Sequence, residues 1–185
     1  MKRRTLIAAA VSAALMLAGG SALAQQPIVI KFSHVVANDT PKGKGAEKFK
    51  ELAEKSLPGK VKIEVYPNSQ LYKDGEEMEA LQLGSVQILA PSLAKFGPLG
   101  VREFEVFDLP FMFNDGREAD AVVDGPIGKA LGAKLADKGL VALGYFELGF
   151  RNLTNSRRAV AALDDFKGMK IRVIQSPIYI DLFNA

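Results

Sequence analysis

Arg172 interrupts an aliphatic stretch, "KGMKIRVIQSPIYI", in which Met169, Ile171, Val173 and Ile174 read as a buried strand. A guanidinium buried without a counter-charge is strongly disfavoured. The stretch therefore demands an anion, drawn either from the protein or from a ligand. Arg151, in "GFRNLTNS", raises the same question at the end of a long extended run. For both arginines the alternative is a nearby Asp or Glu, or an aliphatic stem lying along apolar surface with its head in water. Lys170 shares a face with Arg172 by strand alternation, but only arginine supplies the planar, two-pronged donor set that suits a carboxylate.

Catalytic chemistry has less to work with. His34 is the single histidine and there is no cysteine, which removes multi-histidine and thiolate metal sites and any disulfide framework. A Ser-His-Asp hydrolase would have to use His34, and no G-x-S-x-G elbow is present. Ser92 and Lys95 in "SLAK" have the S-x-x-K spacing, yet neither K-T-G nor S-D-N follows. An exported serine hydrolase on Ser92 and Lys95, or on His34, is the enzyme-class alternative. "GPIGK" and "GKG" lack the spacing of a phosphate loop. His34 itself reads either as a satisfied structural group or as a ligand contact, because it sits where the first strand ends. Acidic pairs such as Glu76-Glu77 and Asp164-Asp165 fall in helix first turns, where they suit the helix dipole.

The elements that must position these residues are legible as strand, helix, strand, helix, strand. "PIVIKFSHV" is a β-branched strand, and Thr40-Pro41 caps a helix on which Ala46, Phe49, Leu52 and Ala53 recur at helical spacing until Pro58-Gly59. "KVKIEVYP" alternates apolar and charged residues. Asp74 is the expected cap of "GEEMEALQLG", and "VQILAPS" is the third strand. This order predicts an α/β domain with a largely parallel sheet. In the following "FGPLGVREFEVFDLPFMFNDG", Phe104, Phe107, Leu109, Phe111 and Phe113 either cover the sheet or line a cleft. "READAVVDGPIGKALGAKLADKG" reads as two helical pieces broken at Gly125-Pro126. "LVALGYFELGFRNLTNS" is too long for one ordinary strand, as if it passed from one body into another. A short turn at Leu163-Asp164-Asp165 ends at Gly168, and Ser176-Pro177 opens a last helix that stops within about two turns.

Residues 1–24 have a cationic start (Lys2, Arg3, Arg4), an apolar run from Leu6 to Ala18, and the small-x-small site Ala22-Leu23-Ala24. They form an expected secretory signal peptide, cleaved after Ala24, whose apolar run is too short to span a bilayer. Its removal takes the formal charge from +3 to zero, which argues against a nucleic-acid binder, and no later segment is apolar for long enough to span a bilayer, so no stable membrane insertion is expected after cleavage.

The blocks "IKFSHVVANDTPKGKGAEKFKELAEKS", "VYPNSQLYKD", "FDLPFMF", "GFRNLTNS" and "FKGMKIRVIQSPIY" resemble, in that order, the periplasmic solute-binding receptors of TRAP transporters, of the dicarboxylate-binding (DctP) type. The resemblance implies an α/β, periplasmic-binding-protein-like two-lobe fold. Residues 25–147 would form the first lobe, and 148–185 a crossing strand and the start of a second lobe that is incomplete in an N-terminal fragment. It also implies a periplasmic receptor rather than an enzyme, with a small organic acid as ligand, TRAP transporter membrane subunits as partners, and neither cofactor nor metal. Arg172 would grip the ligand carboxylate and Arg151 would assist. His34 with Ser33, Ser92 with Pro91, Asn68 and Glu77 carry over as further ligand-side positions.

Overall fold

The computed structural model describes residues 26–147 and 149–185, so the expected signal segment 1–24 lies outside the described residues. Strand β1 (Ile28–Ser33) and strand β2 (Val61–Tyr66) pair in parallel, in register from Ile28 opposite Val61 to Ser33 opposite Tyr66. Helix α1 (Pro41–Ser56) connects them. Its start is built by Thr40, whose Oγ1 accepts from the Gly43 N–H at 3.2 Å and donates to the Ala37 carbonyl at 2.6 Å. Pro41 takes the first helical position, where no N–H is needed. Gly43 is obligatory there for space: a Cβ would lie 2.6 Å from the Asn38 Cα. The inner face of α1 buries Ala46 with Phe49 and Ala53 against Phe32 and Ile63. Leu52, expected on that face, is instead half-exposed.

Helix α2 (Glu77–Gln82) begins later than the sequence suggests. Glu76 occupies the cap position, and Asp74 is drawn away to an ion pair with Lys95. Strand β3 (Ile88–Leu89) pairs in parallel with β1 and is shorter than the expected "VQILAPS". The cause lies in Gln87. Its N–H donates to the Lys31 carbonyl, but its side-chain Oε1, not a backbone oxygen, accepts from the Lys31 N–H at 2.9 Å. The sheet order is β2-β1-β3, with β1 central. At the outer edge of β2, Glu54 from α1 accepts from the Ile63 N–H at 2.8 Å.

A second core gathers Met78, Phe96, Val101, Phe104, Leu131, Leu135 and Leu140. Short 3₁₀ segments at Leu93–Lys95 and Arg102–Asp108 supply part of it. Helix α4 (Pro126–Lys134) adds Leu131 to it, while helix α3 (Gly116–Val123), separated from α4 by the break at Gly125-Pro126 that the sequence indicates, buries no residue. The aromatic run divides. Phe104 is buried and Phe107 stacks on Phe113, whereas Leu109 is partly exposed and Phe111 is fully in solvent at a left-handed backbone position, φ 61°.

Two expected strands do not form. Residues 140–147 and 149–155, and the "KIRVI" run, are irregular among the described residues. A strand exists only through a ladder to another strand, and among the described residues neither run enters one. Helix α5 (Pro177–Asn184) ends the chain, with Pro177 at its first position. Among the described residues no helix is long and apolar enough to cross a membrane.

Candidate functional site

The carboxyl ends of β1 and β3 diverge because the chain leaves β1 toward one side for β2 and returns to its other side for β3. In open α/β sheets this change of direction opens a crevice that takes ligands. Ser33 and His34 close the end of β1, both fully buried, and neither the Ser33 hydroxyl nor either imidazole nitrogen has a hydrogen-bond partner among the described residues. Native proteins pair nearly all such atoms, so a cluster of unpaired ones marks a place for water or ligand.

Charged groups converge on the same crevice. Lys42, in the first turn of α1, is buried and its Nζ donates to the Ala90 carbonyl at 2.8 Å, after β3. Glu77, at the start of α2, is 1% exposed and its Oε1 has no hydrogen-bond partner among the described residues. Lys95 is buried and its Nζ lies 2.8 Å from Asp74 Oδ2. Burial pushes the Glu77 carboxyl up to about 7, the Asp74 charge adds to that effect, and Lys42 and Lys95 oppose it. Burial also lowers Lys42, against the pull of Glu77 and Asp74, and Arg151 lowers it further. The His34 imidazole is lowered chiefly by burial and further by Lys42.

Arg172 departs from its expected setting. The "KIRVI" run lies outside any sheet, so the guanidinium is not embedded in a buried strand: its side chain is 76% exposed. It faces a cleft of about 420 Å³ between residues 73–76 on one side and Arg172, Val173 and Gln175 on the other. Its one ion-pair partner among the described residues is Asp74 Oδ2, at 3.7 Å. That is a single, long contact, well outside the 2.7–2.9 Å of roughly ideal charge-assisted bonds. A larger groove of about 740 Å³ runs along the outer edge of β2 and contains none of these groups.

Arg151 is held differently. Its Nε donates to the Tyr179 hydroxyl at 2.9 Å, and its guanidinium carbon sits 5.1 Å from the Tyr179 ring centre. The Tyr179 hydroxyl donates in turn to Asp108 Oδ1 at 2.5 Å, while Asp108 Oδ2 is buried without a partner among the described residues. Burial, and then Asp108, push the Tyr179 hydroxyl up to about 12. Arg151 thus has a protein counter-charge at one remove, carried by Tyr179.

Residues 32–185 match the family described as DctP, bacterial extracellular solute-binding protein, family 7. The chain belongs to that family. The C4-dicarboxylate-binding periplasmic protein DctP of Rhodobacter capsulatus is 54% identical over 185 residues, which is 100% of this chain and 55% of the relative. A TRAP periplasmic solute binding protein from Pseudomonas aeruginosa with bound L-malate superposes with a TM-score of 0.80 at 46% identity, over 85% of this chain and 54% of that one. The sugar acid binding protein DctPAm of Advenella mimigardefordensis, in complex with galactonate, superposes at 0.82 and 42% identity, over 86% and 51%. The chain therefore spans about half the length of the relatives it matches.

DctP-family proteins are substrate-binding receptors, not enzymes, and the hydrolase alternative falls. Lys95, the candidate base of that alternative, is ion-paired with Asp74. Of the expected ligand-side positions in this DctP-family chain, His34 and Glu77 lie in the buried cluster, and Arg172 joins it through Asp74. Arg151 acts on it through its field at Lys42. Ser92 is half-buried in the loop after β3. Asn68 is exposed at φ 53°, and its backbone N–H donates to the Val36 carbonyl at 2.9 Å, tying the loop after β2 to the end of β1. Sequence reasoning passed over Lys42, Asp108 and Tyr179. Lys42 did leave a signal: a lysine in a helix first turn opposes the dipole.

Proposed function

We propose that the chain belongs to a periplasmic receptor that captures a small organic acid in an interlobe cleft and delivers it to the membrane subunits of a TRAP transporter. In this reading residues 1–24 direct export, 25–147 form the first lobe, and 148–185 cross toward the second. Arg172 grips a ligand carboxylate, and Arg151, His34, Ser92, Asn68 and Glu77 complete the ligand side. The observation that carries the reading is the set of unpaired buried polar atoms on Ser33, His34 and Glu77, gathered beside two buried lysines where the sheet changes direction. Arg172 adds to it, because a guanidinium with one long contact to Asp74 retains donors for a carboxylate. The dicarboxylate and sugar-acid names and ligands of the relatives agree with an organic acid.

Micromolar affinity corresponds to about −8 kcal/mol, and truncating one side of a buried Arg–carboxylate pair costs roughly 2–5 kcal/mol. A ligand at a hundredfold excess over its Kd stabilises the folded protein by about 2.7 kcal/mol. Thermal melts in succinate, L-malate and galactonate therefore test the reading. At least one acid raises the Tm of the wild type, and Arg172→Ala and Arg172→Lys lose that rise while melting normally without ligand. Equal ligand-induced shifts in both variants would remove Arg172 from the grip, and no shift with any organic acid would end the receptor reading.

A further inference from the structure

Glu77 is a carboxyl in a site read as a trap for carboxylates, which ought to work against it. Its surroundings resolve the conflict. From α1 comes Lys42, from the 3₁₀ turn Lys95 and from the loop before α2 Asp74, and His34, at the end of β1, lies within the field of Lys42. Arg172 approaches from the opposite wall, against Asp74. Asp74 is already paired with Lys95 at 2.8 Å, so within the cluster Lys42 is the cation left facing Glu77, and its one hydrogen-bond acceptor among the described residues is the neutral Ala90 carbonyl. Burial lowers the His34 imidazole, which disfavours a charge there.

Two charge states of this cluster have opposite consequences. With Glu77 ionised, it cancels Lys42, and an arriving carboxylate would stand beside a second carboxylate in a buried setting, where like charges repel most strongly. With Glu77 protonated, Lys42 becomes a surplus cation and the Glu77 O–H becomes a donor. The Oε1 of this 1% exposed residue, without a hydrogen-bond partner among the described residues, then has a ligand oxygen to which the carboxyl proton is donated. We propose that Glu77 enters the ligand complex as a neutral carboxylic acid, so that capture of a dicarboxylate is coupled to proton uptake at this residue. The proposal rests on the receptor reading above and deepens it: Glu77 decides how much negative charge the crevice accepts.

Calorimetric titration of the purified protein with succinate at about pH 6.5 and about pH 8.5 tests it, since the ligand is a dianion at both and linkage to one group ionising near neutrality weakens binding about twentyfold between them. Glu77→Gln, which keeps the shape and a neutral donor, is expected to bind succinate equally at both pH values and more tightly than the wild type at the higher one. Wild-type titrations at the higher pH, in two buffers of different ionisation enthalpy, are expected to show about one proton taken up per succinate. That last measurement needs no variant. Wild-type binding that is equal at both pH values without proton uptake overturns the inference and leaves the receptor reading standing. PH dependence that persists in Glu77→Gln overturns it too, by assigning the proton to Lys42 or His34. Absence of succinate binding at either pH, with malate and galactonate equally silent, overturns both.

Discussion

Removing the Tyr179 hydroxyl breaks two hydrogen bonds at once, because that oxygen donates to Asp108 and accepts from Arg151. Tyr179→Phe is expected to lower stability by about 1–3 kcal/mol, the usual cost of leaving a buried polar partner unpaired, as read by urea denaturation. Asp108→Asn is expected to lower it less, since an amide oxygen still accepts from the tyrosine. Glu77 makes a prediction in the absence of ligand. Its folded-state value of about 7 lies above the ordinary 4.5, so the folded chain binds more protons than the unfolded one between those values. Stability is therefore fully present below about pH 4.5 and declines as pH rises toward 7, and Glu77→Gln is expected to flatten that slope in denaturation curves. At this scale the sequence was half legible. His34 stood out as the only histidine, and Arg172 as a charge among aliphatics, although the supposed burial of Arg172 was wrong. Tyr179 and Asp108 lie 71 positions apart and become partners only through tertiary packing, so no local pattern announces them.

The first βαβ unit was readable because its signals are local. Thr40-Pro41, the spacing of Ala46, Phe49 and Ala53, and the alternation in β2 each act within a few residues. Thr40→Ala is expected to destabilise α1 by about 1 kcal/mol. Gly43→Ala is expected to cost more, because its new methyl group would strike the backbone of residues 37 and 38, which cannot retreat as a side-chain tip can. Parallel denaturation curves of the two variants check the order. The break between α3 and α4 was equally plain from Gly125-Pro126. What failed was the reading of "LVALGYFELGFRNLTNS" and "KIRVI" as strands. Composition favours strand in both, but a ladder needs a neighbour, and apolar content cannot supply one. The short β3 fails for a subtler reason, the Gln87 side chain taking the place of a backbone acceptor.

Across the whole molecule, apolar side chains face solvent along one continuous piece of chain. Val141 is 80% exposed and Leu143 71%, and Phe146, Phe150 and Leu153 are also open. Soluble monomers seldom leave such a stretch uncovered, and about half the length of the relatives has no counterpart in this chain. The purified chain is accordingly expected to bind the apolar dye ANS, and Val141→Lys with Leu143→Lys to reduce that fluorescence without shifting the melting temperature appreciably. The two rims of the sheet are treated unequally. On the β2 side the Glu54 carboxylate already occupies the Ile63 amide, a donor that an incoming peptide would need in order to dock alongside. One outward donor of that border is thus satisfied from within the first βαβ unit, which makes this rim less receptive to an added strand.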